Sequence, residues 1–430
     1  MHRAIWQSWS RTIAACLFSV AAVWVAGLFT SIVVEAQRSA AATVFEGARL
    51  IVGDGSAPIA DSAFLVENGR FTAVGRKGQL KVPAGAARVD LTGKTVMPAI
   101  IDAHKHLAVT RDALVDQLQH LAYYGIGAAM SLGQDTGDVA YQVRSETIPN
   151  AARFRTAGRG ITAPEPGRTQ APFWVTSEAE VRKAVDEMAA KKVDIIKFWV
   201  DDRDHTVTKL SPDLYRAGID EAHKKGLRTI AHIYTLEDAK RTLRAGIDNF
   251  AHSVRDKDID DEYLSLIKAK PNFIVDPNLP DRGVKVDRSW LRDSVTAAEL
   301  QKLQADSKED PKAQAFFGIQ ARNLAKLNAA GVKIALGSDG GITWAAHEEM
   351  ADMVAAGMTP AQVIVAATRN AAELANLSDA GIVAAGKSAD FLVLDANPLD
   401  DITNTRRIAS VYLRGSKVDR AELSARWTGR

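Results

Sequence analysis

The chain has almost no cysteine: Cys16 is the single one in 430 residues. It lies in Ile13-Ala14-Ala15-Cys16, which resembles a lipidation box, but most of the apolar run that should precede such a box follows it instead. Disulfides are therefore excluded. If the N-terminal segment is removed, thiolate metal ligands are excluded too. Any metal must then be held by histidine, carboxylate or something unusual. An excess of charge is also missing. The formal net charge is +2, which gives no footing to nucleic acid or to an anionic membrane surface. A small molecule or a peptide remains as the expected substrate. Hydrophobic residues at 47% and charged residues at 25% are ordinary for a soluble globular protein. The length allows one large domain or two to three smaller ones.

What the N-terminus has is a long apolar run, Thr12 to Val34, preceded by Arg3 and Arg11. Val34-Glu35-Ala36 closes it with small residues at the recognition positions, and a polar stretch from Gln37 to Ala42 follows. A charged start, an apolar middle and a small-residue end predict an export signal over residues 1–36, and hence a periplasmic or secreted protein. Left uncleaved, the run is just long enough to anchor the chain in a bilayer.

From Thr43 onward, short apolar runs alternate with Gly, Asp, Asn and Pro, as in Ala63-Phe64-Leu65-Val66 before Glu67-Asn68-Gly69-Arg70. This is the pattern of short strands and tight hairpins. Ala389 to Val418 repeats it, so residues 43–95 and 381–420 are expected to form one small β-sandwich built from both chain ends. Between them, residues 96–380 alternate strand-like runs with helical stretches. Strands are expected near Val96–Ile101, Gly127–Leu132, Phe154–Ala157, Asp194–Val200, Arg228–Ala231, Asn249–Ala251, Asn272–Val275 and Lys333–Gly337. Caps and stops delimit helices at Ser177–Lys191, Pro212–Lys225, Leu236–Ala245 and Gln320–Ala330. Repeated βα units predict an α/β fold, a TIM-type (β/α)8 barrel, with a doubly wound open sheet as the alternative.

Polar residues gather where these strands end. The first ends in His104-Lys105-His106, whose histidines share a face at i and i+2. The fifth ends in His232, the sixth in His252 and the eighth in Asp339. Singly, each reads as a structural histidine or a turn aspartate. Jointly they fall on the face that carries the active site of a barrel, and each can serve as metal ligand or general base. His120 and His223 fall on helices as structural residues, whereas His205 and His347 read as surface-loop residues. Lys197 sits inside the apolar run Ile195-Ile196-Lys197-Phe198-Trp199, where a cation is costly to bury. Either it snorkels or pairs with Asp201 or Asp202, or its amine has taken up CO₂ as a carbamate able to bridge two metal ions.

These residues resemble the amidohydrolase superfamily, in the branch near imidazolonepropionase and the prolidase-like dipeptidases. Pro98-Ala99-Ile100-Ile101-Asp102-Ala103-His104-Lys105-His106 matches the family's first-strand motif, with Ala99 in place of the usual glycine. Ala231-His232 through Ala251-His252, Gly337-Ser338-Asp339 and Gly386-Lys387-Ser388-Ala389-Asp390 look like its later landmarks. The resemblance implies two divalent ions, zinc first among them. His104, His106 and Asp339 would hold one, His232 and His252 the other, and carboxylated Lys197 would bridge them. It also implies hydrolysis of an amide or peptide C–N bond of a dipeptide or N-acyl amino acid. The attacking group would be a hydroxide shared by the metals, with Asp339 as proton acceptor and donor. Tyr234 is the expected contact for a substrate carboxylate or oxyanion, and Arg203, Arg255 and Arg282 follow strands where a carboxylate could be met. Asp281-Arg282-Gly283 lies in an irregular stretch suited to a lid. Imidazolonepropionase-like members bind one metal and lack the lysine. A cyclic-amide hydrolase is therefore the alternative enzyme, and a silent ligand-binding barrel the alternative outside catalysis. The resemblance also implies a homo-oligomer.

Overall fold

The computed structural model describes residues 42–429. The expected export signal, residues 1–36 with Cys16, lies outside the described residues. Among the described residues no helix is long and apolar enough to cross a membrane.

Numbering strands along the chain, two β layers combine its opposite ends. One holds β1 (Thr43–Glu46), β3 (Ser62–Glu67), β4 (Arg70–Arg76) and β5 (Ala87–Asp90) in the order β4-β3-β1-β5. The other joins β2 (Arg49–Leu50) and β6 (Thr95–Pro98) to β17 (Phe391–Leu394), β18 (Ile408–Leu413) and β19 (Ser416–Lys417). The β3–β4 hairpin turns at Asn68 and Gly69, both at positive φ (50° and 74°), as a tight two-residue turn needs. The inward positions of the alternating strands are aromatic. Phe45 stacks on Phe64 at 5.0 Å, Phe391 stacks on Tyr412 at 4.6 Å, and Phe45 meets Phe391 edge-on at 5.1 Å.

The middle of the chain forms two parallel sheets flanked by helices. Three strands make the first: β7 (Ile100–Lys105), β8 (Ile126–Ser131) and β9 (Arg153–Thr156). The second comprises β10 (Ile161–Thr162), β11 (Phe173–Trp174), β12 (Ile196–Val200), β13 (Thr229–Ile233), β14 (Asn249–Ala251), β15 (Ile274–Asp276) and β16 (Lys333–Ile334). Its order is β11-β10-β12-β13-β14-β15-β16. Backbone hydrogen bonds reach across both seams. Asp194 N donates to Thr156 O at 2.9 Å, and Ala103 N donates to Leu336 O at 3.0 Å.

Each expected strand has a counterpart, with one correction. The run Val96–Ile101 is two strands, because consecutive amides bond to different sheets. Ala99 N donates to Asp390 O beside β17, while Ile100 N donates to Gly125 O just before β8. β6 thus belongs with the small β layers and β7 with the parallel strands. β10 and β11, two residues each, are too short to show periodicity in sequence. The helices begin at the expected caps: Ser177 and Glu180 form a reciprocal capping box before Glu178–Ala190, and Ser211 caps Pro212–Lys224. The helix expected from Gln320 begins earlier, at Pro311, because Asp310 caps it. In β12 the period of two separates the faces. Ile196, Phe198 and Val200 join the apolar core shared with the helices, while Lys197 and Trp199 occupy the opposite face.

Candidate metal centre

β7 delivers His104 and, just past its end, His106. β16 leads through Gly337 and Ser338 to Asp339. One ligand atom from each of His104, His106 and Asp339 can be chosen so that all lie within 4.8 Å of one another. Asp339 Oδ1 is 3.0 Å from His106 Nε2 and 3.7 Å from His104 Nε2. Its side chain is 38% exposed, so the carboxylate faces the open end of the site. Two features hold the turn that places it. Asp339 N donates to His104 O at 2.9 Å, and Asp102, fully buried, accepts the Ser338 hydroxyl at 2.6 Å and the Ser338 amide at 3.0 Å. Lys105 points away from the histidines. Its amine donates to Ser338 Oγ at 2.9 Å and to Ile342 O at 2.7 Å, which ties the same loop from behind.

Beneath His104 lies a polar pair that the sequence reading leaves out. His104 Nδ1 donates to Asn278 Oδ1 at 2.8 Å, and Asn278 Nδ2 donates to Asp276 Oδ1 at 3.0 Å and Gly337 O at 2.7 Å. This fixes the tautomer. Nδ1 carries the proton, and the lone pair of Nε2 faces Asp339 and His106. Gly337 leaves the room for it, since a Cβ there would stand 2.4 Å from Asp276 Oδ2 and 2.6 Å from His104 Cβ. The same strand-end rule that singles out His232 and His252 applies to Asp276-Pro277-Asn278 after β15.

His232 and His252 stand beside this cluster. Their rings are 4.5 Å apart, and His252 is 5.1 Å from His104. His232 Nε2 donates to Asp201 Oδ2 at 3.0 Å, which leaves Nδ1 as its free lone pair. His252 differs: its Nδ1 accepts from Arg255 Nη2 at 2.8 Å, so Nε2 carries the proton. His252, Asn278 and Asp339 all adopt positive φ (86°, 42° and 52°), a conformation that short polar Asn and Asp side chains tolerate better than a histidine.

Lys197 is wholly buried, and its amine has no hydrogen-bond partner among the described residues. It pairs with neither Asp201 nor Asp202. Asp201 is taken by His232 and Arg203, and Asp202 by Lys209 and His205. The amine lies 5.4 Å from the Trp199 ring, and Trp199 is slotted against Gly133 and Gly160, where a Cβ would meet the indole at 2.4 and 2.1 Å. Burial pushes the Lys197 amine down to about 7, against the pull of Asp339 and Asp276. Burial also depresses the histidines, His232 to about 4 and His104 well below the ordinary imidazole value, so both are neutral. Burial alone would raise Asp339, but His104, His106 and Lys197 outweigh it and hold the carboxylate ionised.

Tyr234, at the end of β13, is half-buried, and its carbonyl accepts from Arg255 N at 2.9 Å. Arg203 reaches Asp201 at 2.8 Å and Glu165 at 3.4 Å, and Arg282 reaches Asp352 at 3.4 Å. His120 stacks on Trp427 at 3.4 Å and His223 bonds to Asp248, both as helix residues. His205 is exposed. His347 is not a surface-loop residue: it is buried in the helix Ala345–Ala355, bonded to Thr405 Oγ1 and Tyr124 O.

The unpartnered buried atoms test whether these side chains suit a metal. His104 Nε2, His106 Nδ1 and Lys197 Nζ are all buried without a hydrogen-bond partner. For His104, such an orphaned lone pair of a neutral imidazole beside an ionised carboxylate is what a divalent cation requires, and His106 meets the same carboxylate through Nε2. His104, His106 and Asp339 fit directly. His232 fits through Nδ1, and His252 fits through Nε2 only once its Nδ1 is released by Arg255.

Residues 95–418 match the model of the amidohydrolase family. The chain is similar to imidazolonepropionase of Deinococcus radiodurans, 26% identical over 388 residues, covering 84% of this chain and 92% of that protein. Among solved structures it resembles a protein of Bifidobacterium longum provisionally named a prolidase. That match has a TM-score of 0.74 and 26% identity, over 90% of this chain and 98% of the other. It also shares its fold with a Xaa-Pro dipeptidase crystallised with methionine, with a TM-score of 0.71 and 21% identity over 88% and 99% of the two chains. The family match spans most of the chain and takes in the whole His-His-Asp cluster: the protein belongs to the amidohydrolase family and is a metal-dependent hydrolase.

Proposed function

We propose that the protein is an exported hydrolase that cleaves the amide or peptide C–N bond of a dipeptide or an N-acyl amino acid, using a two-metal site bridged by carboxylated Lys197. The observation that carries this reading is the buried, unpartnered Lys197 amine close enough to His104, His232, His252 and Asp339 to act on their charge. We read eight of the ten strands in the two parallel sheets, β7–β9 and β12–β16, as one (β/α)8 barrel joined at its two seams. The small β layers would pack as its companion domain, and residues 1–36 would act as the export signal.

Carboxylation explains how a lysine can occupy such a position. A neutral amine adds to CO₂, forming the N–C bond of a carbamate and releasing one proton. An amine near 7 is neutral often enough to react. The product is an anion with two oxygen ligands, placed where positive charge is otherwise in excess. When bound, divalent cations, zinc by this donor set, make water acidic and polarise a carbonyl. The chain's own residues do the rest. Asn278 orients His104 and Asp201 orients His232. Asp339, ionised and facing the open side, takes the proton of the attacking water and hands it to the leaving amine. Tyr234, two residues past His232, would donate its hydroxyl to the developing oxyanion.

A second reading, hydrolysis of a cyclic amide, draws on the similarity to imidazolonepropionase. A library of dipeptides and N-acyl amino acids separates the two. Turnover of several members is the expected result. If all are inert while lactones or cyclic amides are hydrolysed, the substrate class proposed here is wrong.

A further inference from the structure

Three arginines follow the strand ends, and their surroundings are not alike. Arg203 is neutralised by Asp201 and Glu165, and Arg282 by Asp352. Arg255 has no carboxylate within 4.0 Å among the described residues. Its Nη2 donates only to neutral acceptors, His252 Nδ1 at 2.8 Å and Asn278 O at 3.1 Å. Its Nε is buried without a partner, and no hydrogen bond involves Nη1.

A guanidinium cannot shed its charge as a lysine can. Holding one largely out of water with no counter-ion is costly, and proteins rarely keep such an arrangement without an anion to complete it. The position narrows the choice of anion. Arg255 lies three residues past His252, and its guanidinium rests against His252 and Asn278 of the metal centre. Nε–H shares its edge with Nη2, whose hydrogens are taken by His252 and Asn278, so Nη1 is the donor left to meet an anion in a single charge-assisted contact.

We infer that Arg255 is a specificity-determining residue that binds the free carboxylate of the substrate. The inference rests on the hydrolase reading above and deepens it. The ligand class is an N-acyl amino acid or dipeptide with an unblocked C-terminus, and the corresponding amides and esters are disfavoured. A site built for a charged hydrogen-bonding group rejects the analogue lacking it more strongly than a merely apolar pocket could.

The test measures binding, so that it does not depend on turnover. Hippurate and hippuramide differ only in the carboxylate, and titration calorimetry gives the ratio of their affinities for the wild-type enzyme, Arg255→Met and Arg255→Lys. The wild type should favour hippurate by about tenfold or more. The preference should fall to within about twofold in Arg255→Met and be partly kept in Arg255→Lys, which retains the charge but not the guanidinium. Metal content of each variant is read alongside, since a residue that only steadied His252 would lower metal content and leave the ratio intact. Equal wild-type affinity for the two probes, or a preference that survives in Arg255→Met, overturns the inference. If Arg255→Met does not fold, Arg255→Gln takes its place, and a preference that survives in it overturns the inference. Failure of the parent reading looks different: the carboxylate preference and its loss would stand while no N-acyl amino acid or dipeptide is hydrolysed.

Discussion

The two halves of the metal centre are built on opposite electrostatic plans. Around His104 and His106 the chain places Asp339, Asp276 and Asp102, with Asn278 selecting the tautomer. Around His232 and His252 it places Arg203 and Arg255, with Lys197 buried nearby; Asp201 bonds His232, and Asp339 stands 3.9 Å from His252. The first half is prepared for a cation as it stands. The second is short of negative charge by roughly the amount a carbamate on Lys197 would add. In the proposed two-metal site, one half would attract its metal through residues written in the sequence, and the other would depend on a modification that reverses the sign of Lys197.

Changes in the first half should therefore have the larger effects. Asp339→Asn removes both an anionic ligand and the proton acceptor, and turnover should fall by about 10²–10⁴-fold. Steady-state kinetics on whichever substrate the library identifies would show this. A variant that retains a tenth of the activity would remove Asp339 from the chemistry. Asn278→Leu keeps the volume but frees the His104 ring. Metal affinity should drop by about 10–100-fold, read by competition with a chelator. Nitrogen NMR of His104 should show loss of the Nδ1-protonated form. An unchanged tautomer together with unchanged affinity would mean that Asp276 alone orients the ring.

The same contrast explains what could be read from the sequence. His104, His106, His232, His252 and Asp339 are visible because each ends an apolar run, and the period of the strands carries the signal. Lys197 is visible because a cation interrupts such a run. The helix caps at Ser177 and Ser211 are local chemistry and fall where expected. The division at Ala99 is not legible, because the residues on both sides are equally apolar and only the choice of hydrogen-bond partner separates the two sheets. Nor is the isolation of Arg255. Arg203, Arg255 and Arg282 look equivalent in sequence, and what distinguishes them is the absence of a carboxylate across a three-dimensional gap. His347 belongs to the same class: Thr405, which receives its ring, is 58 residues away.

The difference between the halves is tested most directly by counting metal ions per chain in the wild-type protein and in Lys197→Ala, both prepared with bicarbonate and zinc. Two ions per chain in the wild type, falling to one in the variant with the His104, His106 and Asp339 half still loaded, is the predicted result. One ion per chain in both proteins would contradict it, and would leave Lys197 as a buried amine with no part in holding metal.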